Sequence, residues 1–166
     1  MSQELSPYTA PGHLLRRAGQ LHDRFFEDAF QGIVTPRQFA IMLALARNPS
    51  VDQITLSSQI AVDRSTIGDM VGRLNTMGFI ARERDKGDGR RNLLKLTPSG
   101  HRVVRELLPK VALVTQRLLE PLSESDREVF VTLLAKVATA PDVAFPDYRK
   151  YALAALGHSD GSGLTG

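Results

Sequence analysis

The sequence contains no cysteine, which excludes a disulfide framework, a thiolate zinc site and a cysteine-based redox switch. Its four histidines are scattered and show no metal-ligand spacing, so neither a metal nor another cofactor is expected. No apolar run approaches the ~18 residues needed to cross a bilayer, and the N-terminus has no signal-peptide pattern. These absences predict a soluble, cytoplasmic protein without a membrane partner.

The chain is not strongly charged as a whole, but its basic residues are unevenly distributed. The net charge of the 166 residues is only +3. Residues 53–105 hold ten Lys/Arg and five Asp/Glu, a net of +5, which leaves −2 for the rest. Such a concentration is what phosphate contact requires. Taken alone, it is also compatible with an ordinary solvated surface.

A short amphipathic helix begins in the basic region. Asp63 is a natural N-cap, because its side chain can accept hydrogen bonds from the free amides of the first turn. Apolar residues then recur at helical spacing and predict one buried face; they are Ile67, Met70, Val71, Leu74 and Met77. The opposite face carries small or polar residues, which leave the backbone accessible.

Two strand-like runs, residues 79–84 and 92–97, follow this helix and are joined by a basic, glycine-containing segment. Before the helix that Asp63 caps, the sequence predicts a connector at residues 50–54 and then a short helix at about residues 56–61. This order predicts a mainly α (α+β) fold, a winged helix–turn–helix over residues 35–97. It favours a DNA-binding regulator over any enzyme, since no glycine-rich phosphate loop or catalytic constellation is present.

Long helices are predicted on both sides of this domain. Thr35, Pro36 and Gln38 form a capping-box start for a second helix that ends near Arg47. Residues 11–34 and 98–156 are predicted to form a helical dimerisation region, because they carry more apolar surface than the central domain can cover. A monomeric bundle is the alternative. Residues 1–10 are predicted to be a flexible arm and residues 157–166 a disordered tail.

The residues are similar to the MarR family of winged-helix transcriptional regulators over about residues 11–140. The similarity rests on several short motifs in one order and spacing, namely Thr35-Pro36-Arg37-Gln38-Phe39, Asp63-Arg64-Ser65-Thr66, Arg73-Leu74, Gly78-Phe79-Ile80, Arg84-Asp85, Asp88-Gly89-Arg90-Arg91 and Leu96-Thr97-Pro98-Ser99-Gly100. The resemblance implies a homodimer that binds a pseudo-palindromic operator in double-stranded DNA. It further implies a repressor that a small ligand releases.

Roles on DNA can be assigned to individual residues. Ser65 and Thr66 are expected to hydrogen-bond phosphate or base edges in the major groove, and Arg64 to anchor a phosphate. Arg90 at the tip of the wing is the expected minor-groove residue, because a narrow groove attracts arginine. Lys86 and Arg91 would add phosphate contacts.

The resemblance also implies an ion pair between Asp88 of the wing, the hairpin over residues 79–97, and Arg73 of the recognition helix, which begins after Asp63. The Asp88–Arg73 pair would hold the wing at a fixed angle to the helix. The alternative for Arg73 is a simple surface ion pair, which contributes little to stability.

The recognition helix departs from the family pattern at Gly68, Asp69 and Gly72. Each glycine costs about 1 kcal/mol of helix propensity relative to alanine. We interpret the glycines as allowing a close approach to DNA, although a weakly constrained position would look the same. Asp69 either accepts from a cytosine amino group or repels phosphate.

A small organic effector is expected, because the chain has no cysteine with which to sense oxidants. By resemblance to the family, its pocket would involve His13, Arg16, Phe39 and Met42. Arginine beside aromatic and flexible side chains suits an aromatic carboxylate or its coenzyme A thioester. Core packing would explain Phe39 and Met42 equally well. Two other functions stay open at this point: a nonspecific architectural DNA-binding protein, and an interaction module that has lost DNA affinity.

Overall fold

The structure is a computed structural model that describes residue 6 and residues 8–85, 87, 92–142 and 144–155. The elements of these residues follow in the order α1 (Pro11–Phe30), α2 (Pro36–Arg47), β1 (Val51–Asp52), α3 (Gln53–Ile60), α4 (Arg64–Thr76), β2 (Ile80–Arg84), β3 (Asn92–Leu96), α5 (Pro98–Leu119), α6 (Glu124–Ala138) and α7 (Tyr148–Ala155). This order confirms the predicted mainly α winged-helix fold. The predicted arm is described only at residues 6 and 8–10, and the predicted tail at residues 157–166 lies outside the described residues.

Side-chain caps begin most of these helices, including the two that the sequence predicts at Thr35 and Asp63. The Thr35 hydroxyl accepts from the amide of Gln38, whose side-chain oxygen accepts in turn from the amide of Thr35 at 2.9 Å. The hydroxyls of Thr97 and Ser123 likewise accept from the amides three residues later and cap α5 and α6, without the reciprocal bond. Each cap pairs an amide that would otherwise have no partner in the first turn.

The predicted connector at residues 50–54 is wrong. Val51 and Asp52 form β1, and Val51 pairs with Leu94 of the wing sheet. The third helix also begins earlier than predicted, at Gln53, because the Asp52 carboxylate accepts from the amide of Thr55 at 2.8 Å. The segment therefore supplies both a strand and a helix cap within two residues.

The strands form an antiparallel sheet in the order β1-β3-β2, with Ile80 opposite Leu96 and Arg84 opposite Asn92. The chain passes from α4 into this sheet through Gly78, whose positive φ of 75° favours glycine. At the other end of the hairpin, the Thr97 hydroxyl donates to the carbonyl oxygen of Gly78 at 2.6 Å. The wing is thus tied to the end of the recognition helix.

Three phenylalanine rings connect the first helix to the winged-helix core. Phe26 and Phe30 of α1 stack with their ring centroids 3.7 Å apart, and Phe39 of α2 meets the Phe30 ring edge-on at 5.2 Å. All three are buried in the same apolar cluster as the inner faces of α2, α4 and the sheet. Burial of each aromatic side chain contributes roughly 1.5–3 kcal/mol.

The long terminal helices divide into a packed pair and an exposed one. Helix α5 packs along α1, where Arg117 lies 4.3 Å above the Phe25 ring and 3.6 Å from the Asp28 carboxylate. None of the residues of α6, all of which are described, is buried. Helix α7 packs instead on α3. Within the described ranges, no helix is both long and apolar enough to span a membrane.

Candidate nucleic-acid interface

The first turn of α4 is organised by Asp63. Its carboxylate accepts from the amide of Thr66 at 2.9 Å and from the hydroxyl of Ser65 at 2.6 Å. Hydrogen bonding lowers the pKa of Asp63 below its ordinary value. The Ser65 side chain makes the largest contribution to this shift, followed by the side chain and amide of Thr66. The cap is therefore ionised at neutral pH and complements the positive end of the helix dipole.

This cap changes what Ser65 offers to DNA. A hydroxyl has one proton to donate, and the Ser65 proton is directed at Asp63. A phosphate oxygen can only accept a hydrogen bond. The predicted Ser65–phosphate contact would therefore need this proton to turn away from Asp63, whereas a base amino group could donate to Ser65 without any change.

The two faces of α4 have opposite character. Ile67, Val71 and Leu74 are buried, whereas Arg64, Ser65, Asp69 and Arg73 are exposed, and Thr66 is half-buried. Met77, which was predicted on the buried face, is 42% exposed. Met77 is the C-cap of α4: its amide still donates to the carbonyl oxygen of Arg73, but the chain turns away at the next residue, Gly78, so Met77 lies at the edge of the core.

The two glycines of α4 lie in different surroundings. A Cβ added to Gly68 would lie 3.3 Å from the side-chain nitrogen of Gln53, at the start of α3. A Cβ at Gly72 would meet nothing within 4 Å among the described residues. A side chain at position 68 would therefore require the flexible end of Gln53 to shift by a few tenths of an ångström, while no described neighbour explains Gly72. Both line a concavity of about 700 Å³ on the outer face of α4.

The wing is described at its base only. Lys95 on β3 forms an ion pair with Glu83 on β2, which ties the two strands together. At the start of the connecting segment, Asp85 accepts from the amide of Gly87 at 2.8 Å. The predicted wing residues Lys86, Asp88, Arg90 and Arg91 lie outside the described residues. The Asp88–Arg73 ion pair consequently stays a prediction.

Three exposed arginines beside this surface had no assigned role in the sequence analysis. Arg82 and Arg84 lie on β2, next to the wing. Arg37, at the start of α2, lines a concave surface of about 570 Å³ together with Thr66 and Arg73 of α4. Charge count alone included Arg82 and Arg84, but no sequence signal placed Arg37 beside the recognition helix. All three extend the cationic surface around α4.

The predicted ligand residues do not come together within one chain. His13 and Arg16 lie near the start of α1, where their side chains are 3.2 Å apart, and Phe39 and Met42 are buried in the core. The Phe39 ring lies against Phe26 and Phe30 in the C-terminal half of α1, and Phe26 is about 20 Å from His13 along the helix axis. Core packing therefore accounts for Phe39 and Met42.

A different groove lies beside Arg16. It has a volume of about 500 Å³ between α1, α5 and α6. Its lining is almost wholly apolar and includes Leu15, Gly19 and Leu118, with His22 as a polar exception. Arg16 is not one of the lining residues; it lies one turn before Gly19 on α1, and its guanidinium is 3.2 Å from His13 Nδ1.

Comparison with known proteins agrees with this architecture. The family model described as "MarR family" matches residues 34–91. The crystal structure of the PcaV transcriptional regulator from Streptomyces coelicolor, in complex with its natural ligand, is 38% identical, covers 84% of this chain and 99% of its own, and superposes with a TM-score of 0.78. The chain belongs to the MarR family.

Two further relatives resemble this MarR-family chain. The transcriptional repressor NicR of Pseudomonas putida is 29% identical over 87% of this chain and 99% of its own length. BpsR of Bordetella bronchiseptica, whose DNA binding is regulated by 6-hydroxynicotinic acid, is 29% identical, covers 83% of this chain and 99% of its own, and has a TM-score of 0.78. The predicted family is confirmed: this MarR-family protein is a DNA-binding transcriptional regulator and not an enzyme.

Proposed function

We propose that the protein is a homodimeric repressor that binds a pseudo-palindromic operator and is released by a small aromatic acid or the coenzyme A thioester of one. The observation that carries the DNA-binding half of this proposal is the outer face of α4. Its apolar side is buried, its N-terminus is capped by an ionised Asp63, and Arg64 and Arg73 are exposed on the other side. A helix held in this way can enter a major groove with its first turn leading.

Exposed apolar side chains support the homodimer. Helix α6 presents a row of them to solvent, listed here as Val129, Phe130, Val131, Leu133, Leu134 and Val137. Leu14 and Leu15 of α1 and Leu108 and Leu113 of α5 are also at least 47% exposed. Contiguous apolar surface of this kind marks a protein–protein contact, and a two-fold contact between identical faces would suit an operator with two half-sites.

The groove between α1, α5 and α6 supports the effector. An aromatic ring would be buried against its apolar lining, and the guanidinium of Arg16, one turn before Gly19, would turn from His13 to bind the carboxylate. BpsR responds to 6-hydroxynicotinic acid, which has this combination of ring and carboxylate. A ligand at this place would contact both α1 and α6, the helices proposed to set the spacing of the two recognition helices. Release requires that the ligand favour a dimer whose spacing no longer matches the operator.

Binding of the full-length protein to DNA fragments selected from the genome tests the DNA-binding proposal. The variants Arg64→Ala and Arg90→Ala should each weaken operator binding about tenfold. Each should also reduce the slope of log K against log salt concentration by about one. Arg149→Ala, which removes an exposed charge on α7, is the control and should change neither quantity. Equal affinity for the operator and for random duplexes would instead indicate an architectural protein. Unchanged binding in both test variants would overturn the proposal.

Sedimentation analysis tests the dimer, and operator release tests the effector. Leu133→Asp combined with Val137→Asp, which lie outside the lining of the groove, should convert the dimer to a monomer, because two charges would enter the apolar contact. A wild-type protein that sediments as a monomer at micromolar concentration would contradict the proposal.

Operator release is measured with 6-hydroxynicotinate and 4-hydroxybenzoate. Arg16→Gln should weaken that response about tenfold, and an unaltered response would remove Arg16 from the site.

A further inference from the structure

The C-terminal helix folds back onto the DNA-binding half of the chain and forms a second cleft there. Helix α7 packs against α3, and the cleft between α2, α3 and α7 has a volume of about 600 Å³. Tyr148 and Tyr151, one turn apart on α7, line it and are half-buried. Arg47 and Asn48 at the end of α2 and Gln59 of α3 supply its polar lining. Small aliphatic side chains supply the rest.

Gln59 holds the most informative atom of this cleft. Its side-chain oxygen, Oε1, is buried and accepts no hydrogen bond from any described residue. No other buried side-chain nitrogen or oxygen in the described part of the chain is left unpaired in this way. An unpaired buried acceptor costs about 1–3 kcal/mol, and a rotation of the Gln59 side chain that brings this oxygen to a donor in the cleft would recover that cost.

The remaining groups define what else a molecule bound in the cleft would carry. Tyrosine rings favour stacking with another planar ring. The Arg47 guanidinium, which is exposed at the edge, favours a carboxylate. We propose that the cleft between α2, α3 and α7 binds a planar aromatic acid that also carries a hydroxyl or N–H donor, with the Gln59 side chain turning so that Oε1 accepts from that donor. This site is separate from the groove between α1, α5 and α6, and it does not depend on the proposed response of operator binding.

The location gives such a ligand a route to the DNA-binding surface. Helix α3, which supplies Gln59, packs directly against the recognition helix α4. The same helix holds Gln53 against Gly68. A molecule bound between α7 and α3 therefore lies one helix away from the residues proposed to contact DNA.

The three tyrosines of the chain allow a direct test, because each reports on one place. Tyr148 and Tyr151 line the cleft, whereas Tyr8 lies against His13 at the start of α1, with their ring centroids 6.2 Å apart. The full-length protein is labelled with 3-fluorotyrosine, and its three fluorine resonances are assigned with Tyr→Phe variants. The probes are 6-hydroxynicotinate and 4-hydroxybenzoate. Saturable shifts of the Tyr148 and Tyr151 resonances are expected.

Single substitutions in the cleft identify the groups responsible. Arg47→Gln should weaken probe binding at the cleft about tenfold, and Gln59→Leu about fivefold. Arg149→Gln on the exposed side of α7 is the matched control and should leave binding unchanged. Gln59→Leu should also leave Tm unchanged or raise it, because it removes an unpaired buried acceptor. A Gln59 with a purely structural role would instead lower Tm when replaced.

The outcomes separate this site from the proposed effector groove. Shifts at Tyr148 and Tyr151 that disappear in Arg47→Gln and Gln59→Leu would support the cleft. Shifts at Tyr8 alone, or no shift at all up to millimolar probe, would overturn it. Operator release by the same probes without any shift at Tyr148 and Tyr151 would preserve the proposed function while removing the second site.

Discussion

The winged helix and the terminal helices bury their apolar residues in different ways. Residues 35–97 supply most of the buried core, including Ile41, Met42 and Leu74 at 0% exposure. Of the fourteen large hydrophobic residues that are exposed in the described part of the chain, only Ile54 and Met77 belong to this domain. The other twelve lie in the N-terminal and C-terminal parts, and half of them are on α6.

This difference separates two kinds of stability. The winged helix is held by contacts within one chain, so its packing is independent of protein concentration. The outer side of α6 gains little from its own chain, because Val129, Leu133 and Val137 are each at least 55% exposed. Such a face contributes to stability only when another surface covers it, and its contribution then depends on concentration.

The first prediction applies the same substitution to both regions. Leu74→Ala should lower the free energy of unfolding by about 3 kcal/mol at every protein concentration, because it leaves a cavity in a fully buried site. Leu133 of α6 is 55% exposed. Leu133→Ala should therefore change the free energy of unfolding little in dilute protein and should weaken dimerisation instead. Urea unfolding of both variants at two concentrations, one hundredfold apart, measures the difference. A concentration-independent loss of similar size in Leu133→Ala would show that α6 is buried by its own chain.

The second prediction concerns the joint between the two regions, where α5 leaves the wing. A Cβ at Gly100 would lie 2.1 Å from the carbonyl oxygen of Phe79, so the backbone has to move to admit it. Gly100→Ala should therefore destabilise the protein by about 2–3 kcal/mol, measured by urea unfolding. Gly12→Ala is the control, because a Cβ there meets nothing within 4 Å among the described residues. Equal stability of the two variants would mean that the joint is not tightly packed.

The elements of the winged helix are predictable from sequence because their signals are local. Thr35, Asp63 and Thr97 begin their helices through hydrogen bonds to amides three residues later, and those spacings are visible in the sequence. Strand β1 was missed because two residues carry no periodicity. The strand is defined by the pairing of Val51 with Leu94, which lies more than forty positions later in the sequence.

The candidate sites were predictable only in part, since they depend on distances between helices. The outer face of α4 followed from spacing within one helix. The grouping of His13 and Arg16 with Phe39 and Met42 required knowledge of where α1 crosses α2, and that crossing lies at Phe26 and Phe30 instead. Nothing in the local pattern around Gln59 predicted that α7 would return to cover it.

The third prediction asks whether the outer face of α4 is shaped for close approach to DNA. Gly72→Ala should stabilise the free protein by up to about 1 kcal/mol, because alanine favours a helix and open space surrounds the new Cβ. If the helix backbone lies close to the groove at this point, operator affinity should fall by about fivefold while the affinity for random DNA falls less. Unfolding and binding titrations on the same preparation measure both. Unchanged operator affinity would mean that Gly72 is merely tolerated.

The smallest predicted effect is the acid sensitivity of the cap on α4. Because the pKa of Asp63 is lowered in the folded protein from its ordinary value of 3.8, the unfolded chain binds more protons below that pH. The stabilisation is therefore fully present above pH ~4 and is lost as the pH falls further. Asp63→Asn keeps a capping side chain that does not titrate. The Tm of the wild type should exceed that of the variant at pH 6, and the two values should converge towards pH 2. A Tm difference that does not change with pH would show that the carboxylate charge contributes nothing to the stability of the recognition helix.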